Sequence, residues 1–193
     1  LGAENVHGIL MPSQFSTDHS VKDAEDLAKN LGASYDIIPI KNIYESYLEA
    51  MSDYFADGKW SVAQENIQAR VRGAILMTYS NKYNALVLNT SNKSELSMGY
   101  GTLYGDMCGA LMVIADLYKL QVYELARYIN REREIIPLST LTKAPSAELH
   151  PGQKDTDSLP KYEVLDPILY MLNEDKLSAE EIIAKGYDAQ IVT

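Results

Sequence analysis

Ala85-Leu86-Val87-Leu88-Asn89-Thr90-Ser91-Asn92-Lys93-Ser94-Glu95 runs from apolar side chains straight into hydroxyls, amides and charge. A short apolar run bounded by turn-forming residues reads as a buried strand, here Ala85 to Leu88. The same alternation repeats outward in both directions. Val6 to Met11 is an apolar run stopped by Pro12 and Ser13, after which Ser16 to Asp18 offer capping side chains. Val21, Ala24, Leu27, Ala28 and Leu31 then recur at helical spacing until Gly32. Tyr35 to Ile40 reads as a strand and Ile43 to Phe55 as a helix, broken at Asp57-Gly58. Ser61 with Gln64 forms a capping box that opens a long helix through Tyr83, with Ile67, Val71, Ala74, Ile75 and Thr78 as its core stripe. Further on, Leu111 to Ala115 reads as a fourth strand and Tyr118 to Ile129 as a helix with Val122, Leu125 and Ala126 inward. Tyr162 to Leu172 and Ser178 to Lys185 close the series as helices, the last ended by Gly186. Short apolar strands alternating with helices need crossover connections, so the expected fold is α/β, a parallel sheet with helices on both faces. Ligands of such sheets sit outside the carboxyl ends of the strands, which directs attention to the segments after Met11, Ile40 and Leu88.

The 193 residues suit one domain. With 46% hydrophobic and 23% charged residues, the chain lies with globular proteins and away from disordered, collagen-like and disulfide-scaffold classes. Seventeen Lys and Arg against 27 Asp and Glu leave a net charge of −10. That field repels nucleic acid and acidic membrane surfaces, so an anionic ligand must be held by a local basic cluster. Cys108 stands alone, which excludes an intrachain disulfide and fits a reducing compartment. Without a neighbouring His motif it reads as a small apolar residue rather than a nucleophile. His7, His19 and His150 lack metal-ligand spacing, and the fourteen tyrosines are too scattered for a base-stacking platform. No apolar run approaches the ~18 residues of a membrane span, and the expectation is a cytoplasmic protein without membrane or nucleic-acid partners. Leu1 to Asn5 reads as the tail of a helix and Gln190 to Thr193 as the start of an apolar segment, so residues 1–193 are expected to be one domain truncated at both ends.

Between Asn89 and Gly109 the chain carries hydroxyls, amides, four glycines and two acids, Glu95 and Asp106. Free N–H groups and hydroxyls there suit phosphate oxygens, and Glu95 suits Mg²⁺. The same residues also read as a polar loop in which Ser94 is a cap and Glu95 a solvated acid of a first helical turn. Composition alone does not separate the two.

Four separated motifs do. The stretch Asn89 to Asp106, preceded by Glu65-Asn66-Ile67-Gln68-Ala69-Arg70-Val71-Arg72 and followed by Pro145-Ser146-Ala147-Glu148-Leu149 and Asp157-Ser158-Leu159-Pro160-Lys161-Tyr162, resembles the synthetase domain of NAD synthetases, notably the glutamine-dependent kind. The resemblance implies a Rossmann-like, adenine-nucleotide α-hydrolase fold of the ATP pyrophosphatase type. It implies an AMP-forming carbon–nitrogen ligase that amidates deamido-NAD to NAD, with ATP and Mg²⁺, ammonia as nitrogen donor, a glutaminase domain in the same polypeptide and a homo-oligomer. By matching position, Glu95 would ligate Mg²⁺ and Ser146 would lie near metal and phosphates. Thr90 would contact ATP and Lys119 would hold a phosphate. Asn66, Arg70 and Lys154 would contact deamido-NAD, and Asp106 would stand beside its nicotinate and the ammonia. Residues 151–162, polar and rich in proline, would form a lid and be among the least contacted segments. Arg72 is expected to point elsewhere than Asn66 and Arg70, which share a helix face at i and i+4. One feature departs from the family: the Ser-Gly-Gly-x-Asp-Ser loop that wraps the pyrophosphate of ATP is not found in these 193 residues. The chain alone is therefore expected to be inactive. Two other readings stay open, a different ATP pyrophosphatase amidotransferase and a non-catalytic nucleotide-binding or oligomerisation module.

Overall fold

A computed structural model describes all 193 residues. A 3₁₀ turn at Ala3–Asn5 leads into strand β1, His7–Leu10. Helix α1 spans Asp18–Leu31; the Thr17 hydroxyl accepts from the Ser20 N–H at its start and Gly32 ends it at φ 70°, the left-handed region that glycine enters without a Cβ clash. Strand β2, Ser34–Ile37, pairs parallel to β1 in the register His7–Ser34 to Leu10–Ile37. Helix α2 is shorter than its periodicity suggests, Lys41–Ala50, and hands over to a separate 3₁₀ turn at Ser52–Phe55. The capping box of Ser61 and Gln64 opens α3, Val62–Tyr83, where the sequence places it.

Strand β3 is only Leu88–Asn89, followed by α4, Lys93–Met98, and it pairs parallel to β4, Leu111–Met112. Helices α5, Lys119–Ile129, α6, Leu138–Thr142, α7, Tyr162–Asn173, α8, Ala179–Ala184, and α9, Ala189–Val192, complete the chain. The parallel α/β reading holds, with one correction to its form. The strands make two separate parallel pairs, β1–β2 and β3–β4, rather than one continuous sheet. The expected buried strands at Ala85 to Leu88 and Leu111 to Ala115 are correspondingly short, and Leu86 is 78% exposed and Leu111 57%. Apolar content marked them as strands, but burial needs a covering layer, and no third strand of this chain pairs with them.

Helix α3 shows a second correction. Of the expected stripe only Val71 is buried, while Ala74 and Thr78 are exposed. The buried residues are Gln64, Gln68, Ala69, Val71 and Gly73. A loop, Thr102 to Cys108, lies against the helix and requires small side chains at Ala69 and Gly73, while Gln64 bonds the turn before the helix and Gln68 donates to the Leu149 carbonyl. A Cβ on Gly105 would meet the Ala69 Cβ at 2.8 Å, and one on Gly73 would meet the Tyr104 carbonyl oxygen at 2.8 Å. Likewise Leu125 of α5 faces solvent and Ala126 faces inward. The firmest apolar packing gathers Tyr118, Leu159, Tyr162, Leu165 and Leu169 around α7. No helix is long and apolar enough to cross a membrane. Across the first strand pair His7 bridges Ser34 (Nδ1 to Oγ, 2.8 Å) and Asp36 (Nε2 to Oδ2, 3.2 Å) and stacks on Tyr79. It pins α3 to the strands, a role no spacing rule signals.

Candidate functional site

The end of β3 and the first turns of α4 and α5 line a cavity of about 710 Å³, whose wall also takes residues between Thr140 and Leu149. Each residue reaches it for a local reason. Asn89, fully buried at the strand end, donates to the carbonyls of Asp106 and Cys108 at 2.8 and 3.1 Å and accepts from the Ser91 N–H, so strand and following loop are tied at one point. Thr90 projects from that knot onto the cavity wall. Asn92 caps α4 by accepting from the Glu95 N–H at 3.0 Å, and the Glu95 carboxylate returns the bond to the Asn92 N–H at 3.1 Å. Its other oxygen pairs with the Lys119 ammonium at 3.1 Å, both side chains about one-fifth exposed. Glu95 is thus a cap, but it is tied to a cation rather than solvated.

Six of the residues expected at the site line this cavity: Asn66, Thr90, Glu95, Asp106, Lys119 and Ser146. Asn66 accepts from the Thr102 hydroxyl at 2.7 Å, which carries the 102–108 loop onto α3. Asp106 accepts from the Thr102 N–H at 2.6 Å. Its surroundings raise its pKa, mainly by desolvation and further by the Glu95 carboxylate, against the Thr102 N–H and Arg72, which lower it. Ser146 accepts from the Glu148 N–H at 3.0 Å. The Glu148 carboxylate in turn accepts from the Thr17 N–H and, at 2.6 Å, from the Ser20 hydroxyl, anchoring the Pro145 to Leu149 wall on the start of α1.

Two expected residues do not reach the cavity. Arg70 is exposed and donates from Nε to the Leu103 carbonyl at 3.3 Å. The loop held by Gly105 lies over that turn of α3 and separates Arg70 from the cavity, although Asn66 one turn earlier lines it. Arg72 points away from Asn66 and Arg70 and also lies outside the lining: it donates to the Met11 carbonyl beyond β1 at 3.0 Å, and burial lowers its pKa against the pull of Glu148 and Asp106. Lys154 is exposed outside the lining, while its neighbours Gln153, Asp155 and Ser158 belong to it.

The expected lid divides into two parts. Pro151, Gly152 and Lys154 are exposed, but Asp155 and Leu159 are buried and the Asp155 N–H donates to the Pro145 carbonyl at 2.9 Å. The expectation that the whole segment is sparsely contacted is therefore corrected for Asp155 to Leu159. There a polar run hides one buried acid and one core leucine. Asp155 accepts from the Tyr162 hydroxyl at 2.9 Å. Burial and that carboxylate raise both phenols beside it, Tyr100 to about 12 and Tyr162 further. The Lys119 ammonium sits 5.4 Å from the Tyr162 ring centroid, so Glu95, Tyr100, Lys119 and Asp155 line the cavity with the buried Tyr162 behind them. Tyr100, Asp155 and Tyr162 escaped the sequence reading because no periodicity links a loop acid to a helix-start tyrosine. Cys108 is free and partly buried near Gly73, and desolvation raises its thiol pKa, as suits a packing residue.

Asp106 permits a pH test. A carboxyl whose folded pKa is raised favours the fold below its unfolded pKa and loses that contribution as pH rises through the folded value. Asp106→Asn should therefore gain stability relative to the parent as pH rises, with the difference closing in acid. Melting curves between about pH 4 and about pH 8 check it, and a gap that widens in acid contradicts the assignment.

The strand pairs, crossovers and cavity at the strand ends belong to an α/β architecture of the adenine-nucleotide α-hydrolase-like type. The sequence profile of the NAD synthase family matches residues 1–193. Glutamine-dependent NAD(+) synthetase of Synechocystis sp. is 56% identical over 192 residues, covering 100% of this chain and 34% of that protein. Among solved structures, glutamine-dependent NAD+ synthetase from Acinetobacter baumannii, in complex with adenosine diphosphate, matches with a TM-score of 0.72 at 42% identity, over 100% of this chain and 34% of that one. NMN synthetase from Francisella tularensis matches with a TM-score of 0.77 at 31% identity, over 92% of this chain and 70% of that one. The chain belongs to the NAD synthase family. It spans about a third of the length of the glutamine-dependent relatives it matches.

Proposed function

We propose that the protein carrying this chain amidates deamido-NAD to NAD at the expense of ATP, and that residues 1–193 form one ligase domain contributing the Thr90–Glu95–Lys119–Ser146 side of its site. The observation that carries the reading is the convergence of Asn66, Thr90, Glu95, Asp106, Lys119 and Ser146, from separate segments, on one cavity. A carboxylate oxygen of the nicotinate attacks the α-phosphorus of ATP, pyrophosphate leaves, and ammonia then displaces AMP from the mixed anhydride. Lys119 offsets phosphate charge. Thr90 and Ser146 supply hydroxyls to phosphate oxygens, and Asn66 an amide to the dinucleotide. Asp106, with its raised proton affinity, takes a proton from the attacking nitrogen. Lys154 and Arg70 would contact the dinucleotide only from outside this cavity, on the solvent side.

Mg²⁺ usually binds through one or two carboxylates plus substrate phosphates and water rather than a protein cage. No group of three His, Cys, Asp or Glu residues here makes such a cage, and Glu95 with the Ser146 hydroxyl fits the phosphate-assisted mode. Bound there, Mg²⁺ would neutralise charge on the leaving pyrophosphate. Glu95 would exchange its Lys119 partner, freeing the ammonium to move onto phosphate. The glutamine-dependent relatives support ammonia supplied by a glutaminase domain of the same polypeptide, and a homo-oligomer is part of the proposal. So is residence in the cytoplasm.

The test is product analysis with the full-length protein. Deamido-NAD, ATP, Mg²⁺ and ammonium or glutamine should yield NAD, AMP and pyrophosphate in equal amounts. Release of ADP and phosphate would contradict the adenylation step. Faster amidation of nicotinate mononucleotide than of deamido-NAD would move the assignment to the mononucleotide substrate.

A further inference from the structure

Asp166 lies in the middle of α7, 4% exposed, yet both its oxygens are engaged. Oδ1 accepts from the Ser94 hydroxyl at 2.6 Å, and Oδ2 accepts from the Leu120 N–H at 2.8 Å. The Ser94 oxygen, fully buried, accepts in turn from the Lys119 N–H at 2.9 Å. One carboxylate therefore ties the first turn of α4 to the first turn of α5. Those two turns carry Glu95 and Lys119, whose side chains meet at 3.1 Å on the cavity wall. Leu165 and Leu169, one residue before and three after, pack in the core cluster and leave Asp166 little freedom to move. A buried carboxyl is costly unless hydrogen-bonded, so one kept here in a helix interior calls for a reason beyond packing.

We propose that Asp166 is a positioning residue. Through Ser94 and the α5 amides it sets the spacing of the two helix starts and so the placement of Glu95 and Lys119 against the phosphates. The inference rests on the reading of the site given above. Sites of this kind tolerate only about 0.5 Å of misplacement, and a shift of about 1 Å can cost ~10²-fold in rate.

The test uses the full-length protein with the variants Asp166→Ala, Asp166→Asn, Ser94→Ala and Glu95→Gln, each corrected for its folded fraction by circular dichroism. Asp166→Ala and Ser94→Ala should lower kcat by about tenfold or more while the KM for deamido-NAD moves less than about threefold. The Mg²⁺ needed for half-maximal rate should rise in both. The double variant should be no worse than the poorer single one, because hydroxyl and carboxylate act in one chain of bonds. Asp166→Asn should fall between the parent and Asp166→Ala in kcat: its amide oxygen can accept from the Leu120 N–H and its amide nitrogen can donate to Ser94, which still accepts from Lys119, but the Ser94 hydroxyl loses its acceptor. A residue that only stabilised the fold would lower the melting temperature and leave kcat of the folded fraction and the Mg²⁺ requirement unmoved. If Asp166→Ala does not fold, Ser94→Ala and Asp166→Asn decide. A folded Asp166→Ala or Ser94→Ala protein with near-normal kcat beside a disabled Glu95→Gln overturns the positioning role and leaves the site reading intact. An Asp166→Asn protein as impaired as Asp166→Ala also overturns it, since the bonds that asparagine can keep to Leu120 and Ser94 would then do nothing to place the two helix starts. Normal turnover by Glu95→Gln overturns the site reading itself.

Discussion

Glu95→Gln in the full-length protein should lower kcat by about 10² to 10³, the loss expected when one preorganised electrostatic contact to the transition state is removed. Glutamine keeps the shape and, as an accepted partner in a capping box, can still accept from the Asn92 N–H. What disappears is the negative charge that a hard cation prefers. The fold should lose little. The ion pair with Lys119 is the one structural interaction removed, and a partly exposed pair of that kind is worth about 1 kcal/mol. Turnover measured across a range of Mg²⁺ concentrations, with a melting curve alongside, separates the roles. A variant within about threefold of the parent at every Mg²⁺ level would make Glu95 a cap and nothing more.

Gly105→Ala should damage both fold and site. The added Cβ would stand 2.8 Å from the Ala69 Cβ and 2.9 Å from the Ala69 carbonyl carbon. The second contact is backbone of a long helix and cannot yield, so the loop must lift. Forcing a methyl group into a packed interior costs typically about 1 to 3 kcal/mol. Lifting the loop also disturbs the Thr102 contacts to Asn66 and Asp106, so activity should fall more than the loss of folded protein explains. Ala69→Gly in the same chain removes one of the two close neighbours and should restore part of both. A Gly105→Ala protein with unchanged melting temperature and turnover would show that the loop does not rest on α3.

The capping boxes of α3 and α8, the Thr17 and Gly32 ends of α1 and the alternation of strand with helix were legible in the residues, because each is a local matter of spacing and side-chain chemistry. The polar strand end at Thr90 to Glu95 was legible in the same way, since ligand sites of parallel sheets follow strand ends. Which side of a helix faces a site was not. Asn66 and Arg70 share a face by spacing, yet the Thr102 to Cys108 loop lies over α3 beyond Asn66, so that Asn66 lines the cavity and Arg70 is left in solvent on the Leu103 carbonyl. Leu125 read as core and stands in solvent for the same kind of reason, the absence of a neighbour that no local pattern announces.

By itself, then, the sequence determined the type and order of the elements, the parallel crossovers and the segment that bears the hydroxyls and Glu95. Those depend on propensity, capping and periodicity within a few residues of each position. Only the tertiary structure decided that the strands form two separate pairs, that Tyr162 brings together Asp155 and Lys119, and that Asp166 reaches back across 72 residues to Ser94. Such contacts are settled by which surfaces meet when the chain closes, and a buried acid in mid-helix has the same local signature whether its partner is water or a distant hydroxyl.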